Sequence, residues 1–183
     1  MTKWELEQWM RENGKDVLRF CRVITNSSQE SDELFQDTML TFVEQNRDKK
    51  WGTSTEVSKN YCLGIAVHLW KNRKKKIARR NRIAPSDSLE MMEEAEIPLQ
   101  ICAGDSYEPE AIYLQKVQSE EVQHMVSLLP SKQQIVITLF YTSELSVQEI
   151  AEILHIPEGT VKSRLHKGKE NLKRKLEVAG YDR

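Results

Sequence analysis

Cysteine is scarce in this sequence, and its three copies, Cys21, Cys62 and Cys102, are far apart. They are odd in number and lack the paired spacing of a zinc site, so they read as small buried hydrophobes in a reducing compartment. No stretch approaches the roughly 20 consecutive apolar residues needed to span a bilayer. The opening MTKWELEQWMREN carries acids where a secretory signal has an uninterrupted apolar core, which predicts a cytoplasmic chain. Glycine-rich phosphate loops are missing too, and the four histidines and the carboxylates show neither metal-ligand spacing nor a nucleophile motif. These absences argue against an enzyme, and no cofactor, metal or small-molecule substrate is expected.

Net charge of one sign is also missing, for 27 Lys and Arg nearly balance 28 Asp and Glu. The balance hides a segregation along the chain. From Lys71 to Arg82 the sequence reads KNRKKKIARRNR with no acid, and from Lys162 to Lys175 it reads KSRLHKGKENLKRK with only Glu170 opposing. Between these blocks, Ala84 to Leu114 holds acids and no Lys or Arg. Two basic blocks around an acidic connector point to two separate contacts with a polyanion, joined by a segment that avoids or imitates it.

What is present is helical periodicity. In residues 1–83, Leu34, Phe35, Met39, Phe42 and Val43 recur near one helix face, and Ser27 three residues before Glu30 has capping-box spacing. Trp51 to Asn60 reads as a turn or loop. A further helix is expected from about Tyr61 into the basic run, and Tyr61 and Trp70 beside that run suggest stacking on unpaired bases. Core packing is the preferred reading for Trp51. Residues 84–110, with Pro85, Pro98, Pro109 and Gly104, read as a flexible linker. Residues 111–183 turn helical again, with Ile135, Val136, Leu139 and Phe140 on one stripe after Pro130. The fold class expected is all-α, two small helical domains joined by the acidic linker.

The most specific passage is LSVQEIAEILHIPEGTVKSRLHKGKENLKRKL. Ser146 and Glu149 form a second capping-box pattern, and Val147, Ile150, Ala151 and Leu154 make the buried face of a short helix. A turn through His155, Ile156 and Pro157 leads to a second helix with Val161 and Leu165 inward and Thr160, Lys162, Ser163, Arg164, His166 and Lys167 facing elsewhere. This is a helix-turn-helix, whose second helix fits the major groove, where every base pair presents distinguishable donors and acceptors. Arg164 suits a fork onto guanine or a phosphate, and Lys162, Lys167 and Lys169 bring charge near the backbone.

These residues carry a resemblance to a known family. LPSKQQIVITLFYTSELSVQEIAEILHIPEGTVKSRLHKGKENLKRKL resembles the C-terminal promoter-binding domain of sigma-70 family factors. ESDELFQDTMLTFV resembles their polymerase-gripping segment, and YCLGIAVHLWKNRKKK their minus-10 helix. Small size points to the extracytoplasmic-function group. The resemblance implies a sigma factor that binds core RNA polymerase through the beta-prime clamp helices and the beta flap, engages double- and single-stranded promoter DNA, and meets an anti-sigma factor. By resemblance, Asp32, Glu33, Leu34, Gln36 and Asp37 engage the polymerase clamp. His68, Trp70, Lys71, Asn72, Arg73, Lys75 and Lys76 lie along minus-10 DNA, and Thr160, Lys162, Ser163, Arg164, His166 and Lys167 read the minus-35 element. The chain departs from the family at His68, where Asn is common, at Asn72, where Asp is common, at Gly64, where a basic residue often sits, and at His155, where the turn often has Gly. The rival reading is a free-standing helix-turn-helix regulator that never needs polymerase.

Overall fold

The computed structural model describes residues 3–25, 27–47, 58–83 and 121–178. The linker expected at 84–110, together with Trp51 and Cys102, lies outside them. Every regular element among the described residues is an α-helix, as the sequence pattern implies. We label them α1 (Lys3–Ile24), α2 (Ser28–Gln45), α3 (Lys59–Ile83), α4 (Ser131–Tyr141), α5 (Val147–Leu154) and α6 (Glu158–Val178). Residues 121–127 are also helical. None of the described helices is long and apolar enough to cross a membrane.

Helix α2 starts where Ser27 Oγ accepts the Glu30 amide at 3.1 Å, closing one of the four orphan donors of a helix N-terminus. Helix α3 starts two residues before the expected Tyr61, because Ser58 Oγ accepts the Tyr61 amide at 3.1 Å and acts as a further cap. It then runs unbroken through the whole basic block. Helices α1, α2 and α3 pack around Trp9, Val17, Phe20, Leu34, Phe42 and Leu63, all buried. The Phe42 ring lies 4.4 Å from Trp9 and 6.4 Å from Tyr61, centroid to centroid. Each such aromatic contributes about 1.5–3 kcal/mol by leaving water. Cys21 and Cys62 are buried in the same core, and burial pushes both thiols up, that of Cys21 to about 12.

Helix α4 corrects the sequence reading. A single apolar stripe was expected there, yet Gln134 through Leu139 are six consecutive buried residues. A helix apolar all round belongs in an interior, and α4 has α1 on one side and α5 and α6 on others. Gln134, one of two polar members of the run with Thr138, donates its amide to the Ile24 carbonyl at 3.2 Å and so finishes the end of α1. Pro130 caps α4 rather than merely breaking the chain: its carbonyl accepts the amides of Gln133 and Gln134 at 2.7 and 3.0 Å.

Helix α6 crosses α4 at Gly168. A Cβ built there would stand 2.9 Å from Ile137 Cγ1, closer than packed atoms tolerate, and Ile137 is itself buried. Alanine is the better helix former by about 1 kcal/mol, but overpacking a tight contact costs about 1–3 kcal/mol. Gly168→Ala is therefore expected to destabilise the protein by about 1 kcal/mol, read as a lowered urea midpoint at unchanged slope. A stabilised variant would show that α6 can move off α4 freely.

Candidate nucleic-acid interface

Helix α5 is fixed at its start by a complete capping box. Ser146 Oγ accepts the Glu149 amide at 3.2 Å, and Glu149 Oε2 accepts the Ser146 amide at 2.9 Å. The Ser146 amide and hydroxyl and the Asn60 side chain all donate to this carboxylate, and together they hold its pKa below the usual 4.5, with the Ser146 amide the largest cause. Stability from a depressed carboxylate is complete above its unfolded value and lost as pH falls through the folded one. Wild type and Glu149→Gln are thus expected to differ in Tm at neutral pH and to converge below about pH 4.5. A gap that persisted into acid would assign the effect to shape rather than charge.

Ile150, Ala151 and Leu154 bury the inner face of α5 against Val161 and Leu165 of α6. Between the helices His155 adopts φ 51 and ψ 50, the left-handed conformation that glycine takes at low cost. The turn keeps its geometry despite the histidine, at a cost on the order of 1 kcal/mol. Pro157 then supplies the carbonyl that accepts the Thr160 and Val161 amides, starting α6. The space beside Gly159 is open, with nothing within 4 Å of a Cβ placed there.

On α6, Lys162, Ser163, His166 and Lys167 are exposed, while Thr160 and Arg164 are half-buried. Two of these side chains are steadied along the helix: Lys162 Nζ lies 3.6 Å from Glu158 Oε2 and His166 Nε2 3.4 Å from Glu170 Oε1. The Ser163 hydroxyl donates to the Thr160 carbonyl at 3.0 Å, leaving its lone pairs outward. Lys169 instead sits over the rings of Phe140 and Tyr141, 5.5 Å from each. The arrangement is a preformed basic helix face on a rigid two-helix support, which is what groove reading requires.

The basic half of α3 is less uniform than its sequence suggests. His68, Asn72, Lys75 and Lys76 are exposed, and Asn72 Nδ2 lies 2.9 Å from His68 Nε2. Arg73 is turned toward α2, where it donates to Asp37 Oδ2 at 2.5 Å and lies 3.6 Å from Glu33 Oε2. An arginine assigned to DNA and two acids assigned to polymerase therefore bind one another here. Lys71 is half-buried, and burial, then Arg164, then Lys75 lower its pKa.

Two expectations need correction. Trp70 is only 3% exposed and carries Lys74 over its ring at 5.6 Å, so it is a core residue rather than a stacking platform. Its indole Nε1 has no hydrogen-bond partner among the described residues. Tyr61, the other aromatic proposed for stacking, is half-buried and donates its hydroxyl to Gln45 Oε1 at 2.5 Å. Leu34 is fully buried and cannot meet a partner directly. Its stripe with Thr38 and Phe42, one turn apart, already signalled the inner face of α2. On the outer face, Asp32, Glu33, Gln36 and Asp37 are exposed and share it with Leu40, which is 63% exposed and was missed. A leucine one turn beyond Gln36 among acids was the signal.

Comparison with known proteins completes the picture. Residues 119–172 match the family model for sigma-70, region 4. A curated relative, the ECF RNA polymerase sigma factor SigW of Bacillus subtilis (strain 168), is 44% identical over 72 residues. That match covers 39% of this chain and spans 38% of the relative's length. Among solved structures, the sigma factor RpoE in complex with the anti-sigma factor NepR from Bartonella quintana superposes with a TM-score of 0.68 at 19% identity, covering 97% of this chain and 98% of that one. CnrH in complex with the cytosolic domain of CnrY gives 0.59 at 15% identity, covering 94% and 88%. These two likenesses concern the fold.

Proposed function

We propose, from the match of residues 119–172 to the family model for sigma-70, region 4, and the 72-residue likeness to an ECF RNA polymerase sigma factor, that the chain is a sigma factor that binds core RNA polymerase and directs initiation at selected promoters. The observation that carries this reading is the helix-turn-helix, whose capped α5 presents the exposed Lys162, Ser163, His166 and Lys167 face of α6. In this reading α6 reads the minus-35 element, with Arg164 supplying a base or phosphate contact. His68, Lys71, Asn72, Lys75 and Lys76 of α3 meet minus-10 DNA, and the outer face of α2 docks on the polymerase clamp. The units at work are residues 1–83 for polymerase and minus-10 contacts and 111–183 for minus-35, joined by 84–110. The protein recruits rather than catalyses, and it acts in the cytoplasm where polymerase is. Core packing of Trp70 means that capture of unpaired bases rests on the polar and basic side chains of α3. RpoE was solved in complex with the anti-sigma factor NepR and CnrH in complex with the cytosolic domain of CnrY, which supports an anti-sigma partner for this chain as well.

Runoff transcription with bacterial core polymerase on a genomic promoter library tests the proposal. Transcripts from a discrete promoter set are expected only when the protein is added. Polymerase-independent, tight binding to particular duplexes without any such transcripts would assign the chain to the free-standing regulators instead.

A further inference from the structure

Two exposed residues of α3 that differ from the family pattern bind one another. His68 and Asn72 stand one helical turn apart, and Asn72 Nδ2 lies 2.9 Å from His68 Nε2. An amide nitrogen only donates, so Nε2 is the acceptor and the ring hydrogen sits on Nδ1. This contact fixes which way the amide faces, because turning it over would set the Oδ1 and Nε2 lone pairs against each other. One of the two Nδ2 hydrogens is spent on the ring. Oδ1 and the second hydrogen remain side by side, an acceptor next to a donor.

The neighbours leave the reading of bases to this amide. Lys74, Lys75 and Lys76 are exposed and only donate. Arg73 is turned to Asp37 and Glu33 on α2, Trp70 is buried, and His68 has used its ring acceptor. Among the exposed side chains of residues 68–76, Asn72 Oδ1 is therefore the one acceptor still open. In the major groove of a duplex an acceptor beside a donor matches adenine, whose N6 amino group gives and whose N7 accepts. Cytosine offers the amino group alone, guanine two acceptors, and thymine one acceptor and a methyl. Lys75 and Lys76, one turn on, suit the flanking phosphates, which hold register without reading sequence.

We propose that Asn72 selects an adenine at one position in the duplex part of the minus-10 contact, and that His68 is the positioning residue that turns the amide toward it. The inference rests on the promoter reading given above and deepens it. Because His68 acts by accepting, glutamine in its place keeps the arrangement, as amide side chains one helical turn apart hydrogen-bond readily. Leucine there frees the amide to turn over, which lowers the fraction poised for adenine and lets the amide hydrogens approach guanine.

Runoff transcription by core polymerase with the full chain, on promoters randomised through the minus-10 element, tests this. For the wild type one position is expected to prefer adenine over the next base by about tenfold. Replacing that adenine by 7-deazaadenine, which keeps the amino group and lacks the N7 acceptor, should remove most of the preference. At that position alone, Asn72→Asp is expected to move the preference to cytosine, since a carboxylate accepts and cannot donate. His68→Leu should lower the adenine preference at least about threefold, and His68→Gln should retain it. Preferences at the other positions should stay as in the wild type, which reports that the variants fold. Equal use of adenine and 7-deazaadenine, or no adenine position that responds to Asn72→Asp, overturns the assignment of Asn72. An adenine preference unchanged in His68→Leu overturns the role of His68. Absence of any transcript from the wild type would instead overturn the sigma-factor reading, and this inference with it.

Discussion

Asp37→Arg is expected to abolish association with core polymerase, weakening it at least about 100-fold, or about 2.7 kcal/mol. The carboxylate stands on the outer face of α2 between Glu33 and Leu40, half exposed, where a basic partner would meet it. Reversing its charge sets like against like, which costs several kcal/mol at a docked surface. The structure adds a complication, since the same carboxylate accepts Arg73. Arg73→Gln separates the two roles: it removes the internal partner and leaves Asp37 acidic. Anisotropy of the labelled full chain titrated with core polymerase should show a large loss for Asp37→Arg and a small one for Arg73→Gln. Equal losses would make the acid an internal brace between α2 and α3. Duplex binding by α6 should be unaffected in both.

Arg164→Ala is expected to reduce discrimination between a selected promoter duplex and a scrambled one by about 1–3 kcal/mol, the value of a forked contact to a base. Arg164 is half-buried on α6, with Val161 and Leu165 anchoring the turn it stands on. A guanidinium so placed loses less freedom on binding than one on a loose surface. Competition binding at fixed salt measures the difference. A loss of equal size on both duplexes would make Arg164 a phosphate contact, and the salt slope would then fall by about one unit.

Much of this was legible in the sequence, and the limits have a physical pattern. The caps Ser27 and Ser146, the inner faces of α5 and α6 and the turn at His155 were all readable, because each is fixed by residues within one or two turns. The outward Lys162, Ser163, His166 and Lys167 follow from the same local geometry. Errors arose where a remote element decides. Helix α4 looked one-sided until α1 was found on its other side, and Trp70 looked available until its neighbours closed around it. Gly64 showed only as a departure from a family pattern; its use, admitting Ile153, needs a partner 89 residues away, the same separation as Asn60 from Glu149. Gly168 carried no sequence signal at all, since only the crossing with Ile137 makes its missing side chain matter.

The bond from Gln134 to the Ile24 carbonyl joins residues 110 positions apart. During synthesis the first three helices leave the ribosome before Gln134 exists to occupy that carbonyl. The contact closes only after α4 has been made, which gives it the late place in folding that long sequence separation imposes. Packing of α4 on α1 restrains fraying there, so hydrogen exchange begun on the refolding chain should find the backbone amides of the last turn of α1 protected after those of its middle.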